Sequence, residues 1–157
     1  MGAIFRWIRE LWLGRRALGA NVERASATLP QTASAAIFNI VGGRVLLTAI
    51  LGEVTVAIQN LADNARLEAV PTVGTLRVVC QNLNIQAYAL GDVLGISGVN
   101  IDPMLPPASG GSVEGQTVGV VLKAGTLNLR CSANATGEIR WKVWYIPLDD
   151  GAVMQAA

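Results

Sequence analysis

The sequence predicts an all-β protein: a single antiparallel β-sandwich or jelly-roll-like domain preceded by an amphipathic helical arm. Three observations lead there. After about residue 24, apolar residues recur in short alternating or continuous runs, as half-buried and buried strands require. Glycines punctuate those runs, and eight or more short strands so divided make a sandwich, jelly roll or barrel. Before residue 19 the spacing of apolar residues is that of a helix instead.

The arm comes first in the chain. IFRWIRELWLGRR, residues 4–16, holds two of the four tryptophans and four of the twelve basic residues. A helical wheel gathers Ile4, Phe5, Trp7, Ile8, Leu11, Trp12 and Leu18 on one broad face, with Arg6, Arg9, Glu10 and Arg16 opposite; Leu13 and Arg15 break the pattern. Gly14 weakens the last turn, and Gly19-Ala20-Asn21 is a helix stop. The division expected is an arm and linker over residues 1–23 and a β-sandwich domain over residues 24–157.

Within the domain, Ala36–Val41 is an apolar run stopped by Gly42-Gly43, and Val45–Leu51 is a second that ends at Gly52. Glu53–Gln59 then places Val54, Val56 and Ile58 on one strand face. Further short strands are expected at Arg66–Ala69, Thr75–Cys80, Asn84–Leu90, Val93–Ile96, Val118–Leu122 and Leu127–Cys131. The clearest pattern comes late: Ile139, Trp141, Val143 and Tyr145 alternate with Glu138, Arg140, Lys142 and Trp144. That parity puts Trp141 in the core and Trp144 on the other face, as a possible surface contact. Asp102–Gly115, with three prolines and the run Ser109-Gly110-Gly111-Ser112, is a long loop. Gly74-Thr75-Leu76-Arg77-Val78-Val79-Cys80 is echoed at Gly125-Thr126-Leu127-Asn128-Leu129-Arg130-Cys131. A glycine turn before an alternating strand explains the echo, and a duplicated strand unit is the alternative.

Composition bounds the function. Only 15% of the residues are charged while 52% are hydrophobic, against a usual charged fraction of about 25%. So little charge points to apolar surface covered by other subunits, in a homo-oligomer or an assembly. The formal net charge of +1 hides an asymmetry: residues 1–24 carry five arginines against two glutamates, leaving seven basic and nine acidic residues for the rest. The domain is therefore not expected to bind nucleic acid. Neither a secretory signal nor an apolar stretch of membrane-spanning length is legible. Two cysteines point to folding in a reducing cytoplasm, which gives the glycosylation pattern at Asn134-Ala135-Thr136 no weight.

Catalytic chemistry finds few candidates. The chain has no histidine, which removes the commonest general base and metal ligand. Cys80 and Cys131 read as small buried hydrophobes, with a disulfide between them as the alternative. Gly110–Gly115 is followed by neither a lysine nor a helix, so it is a loop and not a phosphate cradle. Asp149 and Asp150 are adjacent and would diverge on a strand, leaving at most a loose calcium site. No catalytic residue, metal site or cofactor is expected.

Two stretches carry a resemblance. Arg24-Ala25-Ser26-Ala27-Thr28-Leu29-Pro30-Gln31-Thr32, continued by Ala35-Ala36-Ile37-Phe38 and Gly42-Gly43-Arg44-Val45, resembles small structural proteins of virion or capsid-decoration type from tailed bacteriophages. Tyr145-Ile146-Pro147-Leu148-Asp149-Asp150-Gly151-Ala152 resembles the same group. The likeness covers roughly residues 24–152 and leaves the first twenty out.

The resemblance implies a non-enzymatic virion protein assembled in the host cytoplasm, such as a capsid decoration (cement) protein bound to the major capsid protein. A tail, baseplate or head-tail component is the alternative, with glycan or receptor binding through Trp144 or the 102–115 loop. The arm then reads as a partner-binding segment through Ile4, Phe5, Trp7, Ile8, Leu11 and Trp12, docked in a groove on another protein. Folding back on its own domain and lying in a membrane interface are the other readings of that segment.

Overall fold

A computed structural model describes residues 18–157. The arm residues Ile4, Phe5, Trp7, Ile8, Leu11 and Trp12 lie outside the described residues. Those described form two antiparallel sheets with one core between them, an arrangement consistent with a sandwich. The only helical element among them is a 3-10 turn at Ser109–Gly111, inside the expected long loop.

The strands in chain order are β1 (Ala20–Thr28), β2 (Ser34–Val41), β3 (Val45–Val56), β4 (Asn64–Pro71), β5 (Arg77–Val78) and β6 (Leu83–Asn84). They are followed by β7 (Val93–Leu94), β8 (Val120–Leu122), β9 (Gly125–Cys131), β10 (Glu138–Pro147) and β11 (Val153–Ala156). The first sheet runs β1-β10-β3-β7, with β8 also on β3. The second runs β11-β2-β9-β4-β5, with β6 also on β4.

Four expectations are corrected. Gly52 does not end a strand: β3 continues through it for twelve residues. Its register partner on β10 is Trp141, whose ring fills the space a side chain would take. A Cβ on Gly52 would sit 2.7 Å from that ring. Glycine is there so that the largest core side chain can lie flat on the neighbouring backbone.

The second correction is Val56, which is 48% exposed and does not share the inner face with Val54. Pairing of β3 with β10 slips at two places, where Leu47 and Ala49 oppose Tyr145 and Trp144, and where Val54 and Val56 oppose Ile139 and Glu138. Thr48 and Thr55 are the extra residues. Each bulge reverses the parity beyond it, so the core residues of β3 are Val45 and Leu47, then Ile50, Gly52 and Val54.

Third, Asn84–Leu90 is a strand only at its start, because the chain turns at Ala87, whose φ is +61°. Fourth, Thr75–Cys80 shrinks to Arg77–Val78. One further strand, β1, begins at Ala20, inside the stretch read as a linker. Cys80 and Cys131 are free and buried.

The core draws on both sheets. Leu47, Ile50, Val54, Ile139, Trp141 and Val143 come from the first, and Phe38, Ile40, Leu67, Leu127 and Leu129 from the second. Trp141 is 1% exposed, as its parity requires.

Candidate functional site

With the inner faces spent on the core, function falls to the outer faces, the edges and the loops. On β10 the residues alternating with the core set are Glu138, Arg140, Lys142, Trp144 and Ile146. Register places Ile146 beside Leu46, Trp144 beside Ala49, Lys142 beside Leu51 and Arg140 beside Glu53. Val121 on β8 lies beside Leu46, and Val93 on β7 beside Glu53. The outer face of the first sheet thus carries an apolar tract, Leu46, Ala49, Leu51, Val93, Val121, Trp144 and Ile146. All of them keep some exposure, and Val121 reaches 49%.

A shallow depression of about 260 Å³ opens in this face, lined by Glu23, Leu51, Glu53, Val93, Arg140, Lys142 and Trp144. Its charges are paired along one side. Arg140 Nη2 lies 2.6 Å from Glu53 Oε2, and Arg140 Nε lies 3.8 Å from Glu23 Oε1. The hydrogen bond to Glu53, then the charges of Glu53 and Glu23, hold the Arg140 guanidinium above its ordinary range. Lys142 Nζ is 4.0 Å from Glu23 Oε2 and sits 5.4 Å from the centre of the Trp144 ring. Trp144 is therefore outward and partly buried, as its parity predicts, with an ammonium over its π face.

The chain reaches this sheet in a defined way. Gly19 has a φ of +81°, and a Cβ there would collide with the Tyr145 carbonyl oxygen and lie 2.8 Å from Ile146 Cγ1. Immediately before it, the carbonyl of Leu18 accepts a 2.6 Å hydrogen bond from Thr48 Oγ1. Thr48 is the bulged residue of β3, two strands in from the β1 edge.

The outer face of the second sheet is built differently. Glu68 on β4 is 1% exposed, although it alternates with Leu67 of the core and Ala69 packed against it. Arg66 donates to its Oε1 through Nε at 2.8 Å and Nη2 at 2.6 Å. Ser34 Oγ donates to Oε2 at 3.1 Å and accepts from Asn128 Nδ2 at 3.1 Å. The Glu68 carboxylate is thereby satisfied within the layer, while the buried Asn128 Oδ1 has no hydrogen-bond partner.

The other sequence candidates are occupied or scattered. Asp149 takes two hydrogen bonds from the Arg44 side chain, at 2.7 and 2.9 Å, and one from its backbone N–H at 2.7 Å. Those bonds hold its carboxyl well below the usual range and fasten the turn after β2. Among the described residues no three His, Cys, Asp or Glu side chains gather as a metal site. Burial pushes the Cys80 thiol up to about 11. Burial and the neighbouring Asp63 carboxylate push Cys131 up to about 12.

No protein-family model and no curated protein matches the sequence. Among solved structures the chain is similar to a chain of infectious bursal disease virus, Gx strain, at 17% identity and a TM-score of 0.24. The match covers 88% of this chain and 34% of that one, so this chain spans about a third of its length. A superposition that loose does not define a shared topology.

Sequence reasoning found Trp144 and missed the tract around it. Leu46, Leu51 and Ile146 sit in runs that read as core, and the two bulges that sort inner from outer residues on β3 leave no signal beyond two threonines.

Proposed function

We propose that this protein is a non-enzymatic structural component of a bacteriophage virion, and specifically a decoration (cement) protein that binds the shell of the major capsid protein. The observation that carries the reading is the apolar outer face of the first sheet, beside the point where the basic, tryptophan-bearing N-terminal segment joins the domain. The resemblance of residues 24–152 to small phage virion proteins points the same way. In its finer form the proposal is a jelly-roll-type sandwich with a helical arm, acting in several copies as a homo-oligomer. Its arm residues Ile4, Phe5, Trp7, Ile8, Leu11 and Trp12 bury against the shell.

Cementing requires apolar area and repetition more than chemistry. An arm that buries on the order of 500 Å² gains roughly 12 kcal/mol before the costs of ordering and association, which remove much of it. A small remainder per copy suffices when each copy bridges subunits.

The test is co-sedimentation of the full-length protein, and of the full-length Trp7→Glu/Trp12→Glu variant, with capsid shells of the encoding phage and with anionic liposomes. The unsubstituted protein is expected to pellet with shells and not with liposomes, and the variant with neither. Pelleting with liposomes alone would make the segment a membrane-surface helix and end the cement reading.

A further inference from the structure

The chain upstream of β1 does not leave along the edge of the sheet. Ala20 lies on the edge strand opposite Tyr145. One residue earlier, Gly19 passes over Ile146 of β10, so close that no side chain fits. One residue earlier still, Leu18 is held by Thr48 of β3. Within two residues the backbone has left the first strand, passed over the second and come within reach of a side chain of the third.

We propose that residues 4–16 of the same chain continue across this face in the unassembled protein, with Leu51, Val93 and Trp144 as their apolar floor. The inference concerns the free protein and goes beyond the cement reading; neither depends on the other.

Length and apolar pattern fit this occupant. Three steps from β1 to β7 make the face about 14 Å wide at the usual strand spacing. Thirteen residues, if helical, are about 20 Å long and about 10 Å across, enough to cover the depression in a single pass. The segment's broad apolar face matches the apolar floor. The charged rim is balanced, Glu23 and Glu53 against Arg140 and Lys142, and Glu23 is its most weakly held member, with contacts of 3.8 and 4.0 Å. A positive φ at Gly19 supplies the reversal that brings the chain back over the sheet.

Tryptophan fluorescence tests this on the full chain. In a Trp7→Phe/Trp12→Phe background only Trp141, which is buried, and Trp144 emit, so acrylamide quenching reports Trp144. The proposal expects weak quenching that is independent of protein concentration, and a severalfold increase when Ile8→Glu and Leu11→Glu are added, with the thermal transition of the domain still cooperative. Equal, strong quenching with and without the glutamates would overturn it. Shielding that vanishes on dilution would also overturn it, by assigning the face to a second copy. Shell co-sedimentation is read separately, so either proposal can fail while the other stands.

Discussion

Outward from the first sheet point Ile146, Trp144, Leu51 and Val93; outward from the second point Ser34, Asn128, Arg66 and Glu68. Both sheets close the same core, yet the second meets the Glu68 carboxylate with side chains of its own, Asn128 Oδ1 alone left unpaired, while the first leaves apolar area and a loosely held Glu23. A largely paired polar layer gives a partner little to gain, because most of the bonds it offers are already made. An apolar face with a chain segment aimed across it can be covered and uncovered. The difference separates a face that stabilises the domain from the one to which the proposal assigns docking.

The contrast can be broken by substitution. The largest effect belongs to the polar layer. Arg66→Ala leaves the buried Glu68 carboxylate with Ser34 as its remaining hydrogen-bond partner and is expected to cost about 3 kcal/mol in urea unfolding. A loss under 1 kcal/mol would show that the layer is not structural. Next is the interior seam under the apolar face. Gly52→Ala drives a methyl into the Trp141 ring and should cost about 2 kcal/mol, with a changed near-ultraviolet dichroism of the indole.

Trp144→Ala, on the face itself, should cost about 1 kcal/mol or less in stability while removing shell binding. A large loss of stability with binding retained would reverse the roles of the two faces.

The thiols sharpen the picture of the second sheet's underside, where Leu67 N–H donates to Cys80 Sγ and Cys131 is paired with Ala65. Both thiols hold their protons more tightly when folded, so the unfolded chain releases them first as pH rises. The stability they contribute is complete below about pH 9 and is lost between there and about pH 11 for Cys80 and about pH 12 for Cys131. At pH 8 neither should react with iodoacetamide until the chain is denatured. Rapid alkylation of the native protein would contradict the burial.

The sequence made some parts legible and hid others for physical reasons. In β10, alternation over Glu138–Tyr145 identified both the core tryptophan and the outward one. The strand β1 escaped because its residues are mostly exposed; an edge strand with little buried surface has no hydrophobic period to read. Gly52 looked like a turn because glycine signals both a reversal and a close approach, and only the neighbour across the sheet distinguishes them. The polar layer around Glu68 was not legible, since no local pattern foretells that Ser34, Arg66 and Asn128 meet.

The central claim, that the first sheet's outer face is the working surface, is tested most directly by shell binding of two full-length variants. Leu51→Glu/Trp144→Glu alters that face, and Arg130→Glu alters the exposed part of the other. Loss of binding in the first with binding kept in the second is the result predicted. Unchanged binding in the first, or equal loss in both, would contradict it.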